Sequence, residues 1–414
     1  MKFLQRAFIM LICAISIGCN GPEDVGPTDR SSFIKFFGNS LSNVGKTMVK
    51  ADNGFILLGT STSPDSTEQI DLIKTDQFGN LIWERTFPSA EASFIASLAD
   101  GYLIIGDSIK QIDDSETISM VYVIKTNLEG DMIAHTTIGD PSDNELDFHG
   151  RSISINENGE IVIIGEKENL EDLDETIVIG LDPNLNTLWQ QVYSQNNRSL
   201  EVGKSLFFQN STRLIWVTTS LAFTNDDNTL SDSYISLPVV GVNTEQINNN
   251  DYGRNEPTLF AAKDVHVDES GIAVVGSSNE NGSNDVFFIK ASTSGFFNEN
   301  TALTISTTLK GIALSGADEA LTITKTSDGG YVILGSINTT PEIGNGEKDI
   351  YLLKINNAGT PLWDNVLGGS GSEIGSSIMQ TNDGGFIIYG TQILQGASMQ
   401  FLIKTNSRGK LIEE

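Results

Sequence analysis

The octapeptide Asp328-Gly329-Gly330-Tyr331-Val332-Ile333-Leu334-Gly335 is the stretch of the chain that decides the fold. A turn rich in glycine leads into four apolar residues, and a further glycine ends the run. Glycine permits the positive φ that a tight hairpin turn needs, and the apolar run has the length of a buried strand. The octapeptide therefore predicts a hairpin turn followed by a β-strand.

The same phrase recurs along the chain about every 50 residues. Copies that keep both glycines lie at 52–59, 100–106, 158–165, 270–276 and 383–390, and a degenerate copy at 211–218 has lost both. Each copy follows a strand that begins with a small residue and precedes two more strands, the last of which carries Trp83, Trp189 or Trp363 in three copies. Four short strands in a repeat of this length are typical of a propeller blade.

The two chain ends indicate that the seven repeats close into a ring. The last repeat stops before a full fourth strand, whereas segment 33–38 precedes the first repeat and resembles fourth strands such as 83–87. We therefore predict an all-β fold over residues 31–414, a seven-bladed β-propeller of four-stranded antiparallel blades, its ring closed by an N-terminal strand. An open solenoid is the alternative, but it leaves segment 33–38 without a partner.

The repeats resemble the DGGY-type β-propeller repeats of bacterial exported proteins. This resemblance covers residues 31–414 and implies the fold and an exported protein. It implies no activity, because propellers carry many unrelated functions.

Residues 1–18 have the features of a signal peptide. A basic start with Lys2 and Arg6 precedes an apolar run that is too short to span a bilayer. Small residues then lead into Cys19, which resembles a bacterial lipobox, although Ser16 stands where leucine is usual. The resemblance implies a lipid on Cys19, a flexible tether over 19–30, and a lipid-anchored outer-membrane protein facing the periplasm or the exterior. A plain secretory peptide with an incidental cysteine is the alternative.

The composition excludes several classes of partner. The chain of 414 residues has 54 acidic and 25 basic side chains and a formal net charge of -29. This charge disfavours nucleic acid and anionic membrane surfaces, so the lipid is the only membrane contact that we expect. The three histidines share no spacing, and no nucleophile elbow, phosphate-binding loop or calcium loop occurs. We predict a monomeric propeller with no catalytic residue, metal or cofactor.

The loops of the predicted propeller differ between its two faces. Short turns join strands one to two and three to four of each blade, on what we call the short-turn face. The other connections, which include the Asn-rich stretch 244–257, are longer and lie on the opposite loop face. Carboxylates cluster there, and the candidate binding residues are Asp113, Asp114, Glu171, Asp172, Asp174, Glu175, Asp226 and Asp227. They form either a solvated acidic surface or a face that binds a cationic partner near blades two to four.

Two functional hypotheses follow. The first is a non-enzymatic binding or scaffolding module of the cell envelope, whose partner is an envelope protein or an extracellular glycan. The second is a glycan hydrolase or lyase acting on extracellular polysaccharide, which needs carboxylates from different blades converging at the channel mouth. We interpret the repeated tryptophans as inter-blade packing rather than glycan stacking. We interpret the repeated Asp71, Asp285 and Asp349 as structural turn residues rather than acid–base pairs.

Overall fold

The computed structural model contains seven four-stranded antiparallel sheets, one for each repeat, and confirms the seven-bladed propeller. It describes residues 32–411, with gaps at 40, 89, 112–116, 140–146, 169–172, 196–197, 211, 224–229, 243–246, 255–256, 281, 306–307, 310–311, 314–317 and 339–346. Cys19 and the tether at 19–30 lie outside the described residues.

Blades one to three each follow the chain from the axis outward. Their strands are β2 (Asn43–Ala51), β3 (Gly54–Thr62), β4 (Glu68–Asp76) and β5 (Leu81–Pro88); β6 (Ala90–Leu98), β7 (Gly101–Gln111), β8 (Thr117–Asn127) and β9 (Met132–Ile138); and β10 (Phe148–Ile155), β11 (Ile161–Glu168), β12 (Asp174–Leu181) and β13 (Thr187–Tyr193).

Blades four to six repeat this order, and a small hairpin, β22 and β23, lies between blades five and six. Their strands are β14 (Ser199–Asn210), β15 (Arg213–Phe223), β16 (Leu230–Gly241) and β17 (Ile247–Tyr252); β18 (Phe260–Asp268), β19 (Gly271–Ser278), β20 (Asp285–Ala291) and β21 (Phe297–Ile305); β22 (Thr308–Leu309) and β23 (Ile312–Ala313); and β24 (Glu319–Lys325), β25 (Tyr331–Asn338), β26 (Lys348–Ile355) and β27 (Pro361–Leu367).

Blade seven combines both ends of the chain. It contains β28 (Ser372–Gln380), β29 (Phe386–Leu394) and β30 (Ala397–Thr405), and its outer strand is β1 (Phe33–Phe37). β1 runs antiparallel to β30, with Phe33 opposite Lys404 and Phe37 opposite Gln400. The predicted closure of the ring by the N-terminal strand is therefore confirmed.

The apolar core consists of seven clusters, one at each junction between neighbouring blades. The second strand of a blade is buried on both faces because it packs against both neighbours, and this explains its continuous apolar run. The junction between blades seven and one has the same construction as the others, with Met48, Leu57 and Tyr389 packed together. Burial of apolar surface thus stabilises the closing junction in the same way as the other six.

The aspartate of the repeated phrase stabilises its own turn. Asp328 Oδ1 accepts hydrogen bonds from the backbone N–H of Gly330 and from Lys354 Nζ, at 3.0 Å in both cases. A hydrogen bond from Thr326 and these two donors lower the pKa of Asp328 to about 2. Lys354, near the end of the third strand, thus fixes the turn between the first two strands, and Lys404 makes the same ion pair with Asp383 in blade seven, at 2.9 Å.

Three connections differ from the sequence prediction. The Asn-rich stretch 244–257 contains β17, whose Ile247 pairs with Val240, so it is not simply a loop. Only residue 89 separates β5 from β6, and only two residues separate β29 from β30, so connections on the loop face are not all long.

Within the described ranges, the structure has no helix with the length and apolarity needed to cross a bilayer.

Candidate functional site

A β-bulge interrupts the first strand of every blade at the same place in the repeat. In blade one, Gly45 and Thr47 pair with consecutive residues of β3, and Lys46 between them is the extra residue. Such a bulge turns one side chain away from the regular alternation of the strand. The residues at this position, in blade order, are Lys46, Ser93, Arg151, Lys204, Lys263, Leu321 and Ser376. We call them the bulge ring.

All seven members of the bulge ring line a single cavity of about 350 Å³. The cavity lies on the propeller axis, because the first strands of neighbouring blades contact one another around the ring. Each bulge residue lies within six residues of the start of its strand, so the ring is closer to the loop face than to the short-turn face. Small-molecule sites in proteins in general occupy concave spaces of about 300–1,000 Å³.

Four members of the bulge ring are basic, but two of them are neutralised. Lys46 Nζ lies 2.6 Å from Glu91 Oε1, and Arg151 Nη2 lies 2.5 Å from Glu166 Oε2. These ion pairs join neighbouring elements and leave little free charge. They neutralise two of the four basic side chains in the bulge ring.

Lys204 and Lys263 have no ion-pair or hydrogen-bond partner among the residues that the structure describes. Burial lowers the pKa of Lys204 to about 8, and the positive charge of Lys46 acts in the same direction against the attraction of Asp264. Asp264 is itself held by the N–H groups of Val265 and Ile323 and by the hydroxyl of Thr322. An ammonium group in this position is stabilised by an added anion.

Two carboxylates near the ring have a structural role. Asp107 Oδ1 accepts a hydrogen bond from Gly150 N, and Glu166 Oε1 accepts one from Val202 N, both at 2.7 Å. Both bonds cross to the next blade. At three other junctions a threonine hydroxyl oxygen accepts the equivalent inter-blade bond at 2.9 Å from a backbone N–H: Thr60 from Ala92, Thr219 from Ala262 and Thr391 from Gly45.

The second hypothesis, a glycan-cleaving enzyme, needs carboxylates from different blades that converge on the cavity. The described carboxylates that line the cavity are Glu91 and Asp107, and both belong to blade two. Glu91 binds Lys46, and Asp107 also accepts a hydrogen bond at 2.9 Å from His149 Nδ1, which raises the pKa of that histidine. The described part of the chain contains no group of three side chains able to hold a metal.

The acidic residues predicted from the loops are mostly outside the described residues. This holds for Asp113, Asp114, Glu171, Asp172, Asp226 and Asp227. Asp174 and Glu175 lie at the start of β12, where Asp174 Oδ2 accepts a hydrogen bond of 2.9 Å from Ser199 and Glu175 stands opposite Lys167. The structure brings these two together only as neighbours on one strand, and the acidic loop face stays a prediction.

The repeated residues Trp83, Trp363 and Asp71 make contacts within and between blades. Trp83 packs against Gly130 of the next blade, and Trp363 makes an edge-to-face contact with Phe386, 6.0 Å between ring centroids. Asp71 lies in a strand rather than a turn. It accepts hydrogen bonds from Ser61 (2.9 Å) and from Gln400 of blade seven (3.1 Å). Burial raises the pKa of Asp71 to about 6.

The bulge ring was not predicted from the sequence, although a signal for it was present. A basic residue directly follows the small residue of the first strand in four repeats, as Gly45-Lys46, Gly150-Arg151, Gly203-Lys204 and Ala262-Lys263. In a chain with 25 basic residues, this recurrence at one repeat position is a local reversal of the overall charge. Comparing the repeats position by position would have shown it.

No protein-family model matches the chain, and no curated protein matches its sequence. Among solved structures, Trypanosoma rangeli sialidase in complex with sialic acid has a TM-score of 0.44 and 9% identity, over 80% of this chain and 56% of the sialidase. A Mycobacterium tuberculosis puromycin-hydrolyzing peptidase has a TM-score of 0.50 and 10% identity, over 94% and 54% of the two chains. Polysaccharide lyase Uly1 has a TM-score of 0.51 and 9% identity, over 90% and 91%. The chain thus spans little more than half the length of the first two proteins, and at such identities the similarity concerns the fold alone.

Proposed function

We propose that the chain is a lipid-anchored, non-enzymatic binding propeller of the cell envelope, and that its ligand is a small anion held in the axial cavity. One observation carries the proposal. The bulge ring places four basic side chains around one cavity, and two of them, Lys204 and Lys263, have no partner among the described residues.

The location of the lysines favours a specific site over a general attraction for anions. The net charge of -29 repels anions at long range, but ions screen this field over about 8 Å at physiological ionic strength. Inside the cavity the contacts with Lys204 and Lys263 act at short range and are screened much less. A bound anion would therefore be held by these side chains and not by the protein as a whole.

The scaffold also favours binding, because each basic side chain is carried by a paired strand and not by a loop. The ion pairs of Lys46 and Arg151 fix two members of the ring, and the hydrogen bonds of Asp107 and Glu166 join the second strands of blades two and three to the first strands of blades three and four. A site that is organised before the ligand arrives loses less conformational entropy on binding.

The lipid on Cys19 and the envelope location belong to the same proposal, and the N-terminal sequence supports them.

The test is anion-dependent stability of the mature chain purified in detergent. We expect sulfate or phosphate to raise the melting temperature relative to chloride at equal ionic strength. An anion at a hundred times its Kd stabilises the native state by about 2.7 kcal/mol. The double variant Lys204→Met/Lys263→Met should lose this response.

Lys50→Met/Lys110→Met is the matched control, because it removes the same charge from two exposed positions. We expect it to respond to anions like the wild type. Equal loss in both double variants, or no response in the wild type, would contradict the proposal.

A further inference from the structure

The bulge ring is not symmetric around the axis. Its charges are neutralised at Lys46 and Arg151, so, as far as the described residues go, the unpaired positive charge of the ring belongs to blades four and five. The remaining positions are Ser93, Leu321 and Ser376. A ligand in this cavity therefore meets different chemistry on different sides.

Blade four, which has lost the glycines of the repeat, differs from the others at this position. Pairing between β14 and β15 passes from Val202 to Leu206, so three residues of β14 face the single residue Val217. In the other blades only one residue is unpaired. A Cβ atom on Gly203 would overlap the side chain of Val217, so glycine is required next to Lys204. The degenerate repeat thus has an enlarged bulge that presents Lys204, which gives a reason for its divergence.

The side of the cavity formed by blades six and seven is apolar and hydroxylic. Leu321 and Ile374 contribute apolar surface there, and Ser376 adds a hydroxyl group. This side matches the carbon skeleton and hydroxyl groups of an organic molecule better than a bare inorganic ion. A hydroxylated skeleton gains both apolar contact and hydrogen bonds from such a surface.

The carboxylates of the cavity limit the charge of the ligand. Asp107 lies on the side of blade two, where it would repel a second anionic group, whereas the charge of Glu91 on the same side is neutralised by Lys46. The two free lysines are both on the other side. The cavity therefore favours one acidic group at one end of the ligand.

We propose that the ligand is a small hydroxylated organic acid of about monosaccharide size, such as a hexuronate. Its acidic group lies between Lys204 and Lys263, and its skeleton packs against Leu321, Ile374 and Ser376. This inference rests on the proposed function, because it specifies the anion that the axial cavity takes. A cavity of about 350 Å³ is at the lower end of the range for small-molecule sites, and this sets the size of the ligand.

The test compares three probes by titration calorimetry on the full mature chain at constant ionic strength. Glucuronate carries both the acid and the skeleton, inorganic phosphate carries the charge alone, and glucose carries the skeleton alone. We expect glucuronate to bind at least tenfold more tightly than phosphate, and glucose to give no measurable heat. Phosphate binding as tightly as glucuronate would overturn this inference and leave the proposed function intact. Absence of binding by both anions would overturn both.

Three variants locate the ligand within the cavity. Lys204→Met/Lys263→Met should weaken glucuronate binding at least a hundredfold. Leu321→Asn should weaken glucuronate about tenfold and leave phosphate unchanged, because it alters only the side facing the skeleton. Arg85→Met/Asp131→Asn is the control: it removes an exposed ion pair outside the cavity without changing the net charge, and we expect both affinities to stay within threefold of the wild type.

The melting temperature of each variant without ligand shows whether it is folded. If a variant fails to fold, the conservative forms Lys204→Gln, Lys263→Gln and Leu321→Ser replace it. Equal weakening by the free-lysine variant and the ion-pair variant would overturn the placement of the acid at blades four and five.

Discussion

The closing strand β1 offers a direct test of what holds the ring together. Its side chains alternate, so that Phe33 and Phe37 face the blade junction, whereas Ile34 and Phe36 are 45% and 47% exposed. We expect Phe33→Ser/Phe37→Ser to destabilise the propeller strongly. Ile34→Ser/Phe36→Ser alters the same strand by the same number of aromatic or aliphatic side chains and serves as the control.

The magnitude follows from burial. Complete burial of a phenylalanine side chain contributes about 1.5–3 kcal/mol, and Phe33 and Phe37 are each partly buried against the cluster that contains Met48 and Tyr389. Loss of both should cost about 2–3 kcal/mol. A domain of this size has an unfolding entropy of about 0.8 kcal/mol per kelvin, so the melting temperature should fall by about 3–4 °C. The control pair should stay within about 1 kcal/mol.

Intrinsic tryptophan fluorescence during heating measures the melting temperature, and size-exclusion chromatography reports whether the exposed edge of β30 recruits other molecules. A loss of stability in the inward-facing pair alone would support closure through the side chains of β1. Equal melting temperatures for both pairs would refute the reasoning, since the inward face would then contribute nothing beyond the outward face.

Four further predictions follow from other parts of the structure. Because the pKa of Asp71 is raised to about 6, the native state binds more protons than the unfolded chain between about pH 4 and pH 6, so ionisation of Asp71 costs stability as the pH rises through that window. The stability of Asp71→Asn relative to wild type, from urea titrations, should therefore increase by about 2–2.5 kcal/mol between pH 4 and pH 7.5, and a constant difference would contradict the shift. Sulfate affinity should fall about tenfold between pH 7 and pH 9, because Lys204, which faces Lys46 and Asp264, loses its proton near pH 8; Lys204→Arg, which stays charged, should show no such fall in calorimetry. Gly106→Ala should cost about 1–3 kcal/mol in urea unfolding, because its Cβ would overlap the carbonyl oxygen of Glu91, whereas Gly396→Asn, with open space and a φ of 84°, should cost less than about 1 kcal/mol. Cys19→Ala should move the protein from the membrane to the soluble fraction, or leave it unprocessed, in cell fractionation, and a membrane-bound variant of normal size would rule out the lipid anchor.

The blades could be predicted because the local signals agree with the global fold. The turn glycines, the apolar run from Tyr331 to Leu334 and the small residue Gly375 at the start of a first strand all recur with one period. Repetition supplied many independent observations of the same unit, and the incomplete last repeat supplied the closure. The strands of blade four were harder to predict because β17 is rich in asparagine, a residue more typical of loops. The segment becomes a strand through its pairing with β16.

The candidate site was missed for a different reason. The net charge is a sum over the whole chain, and its negative sign favoured the acidic loops as the binding site. The fold, however, brings a few basic side chains from distant repeats together at the axis. The bulge also breaks the alternation by which inward and outward residues of a strand are assigned, so Lys46 and its equivalents had no predicted direction. The ion pair of Lys46 depends on Glu91 of the next blade, a contact that no single repeat reveals, whereas Arg151 pairs with Glu166 within blade three.

The closing strand has a mechanical consequence for an anchored protein. If Cys19 carries the lipid, any tension between membrane and propeller enters the fold at Phe33 and is borne first by the five residue pairs that join β1 to β30. Once those pairs separate, the next strand along the chain is β2, which lies at the axis and carries Lys46. Anchor, ring closure and cavity are therefore connected in series, and a pull that opens the ring acts next on the wall of the cavity.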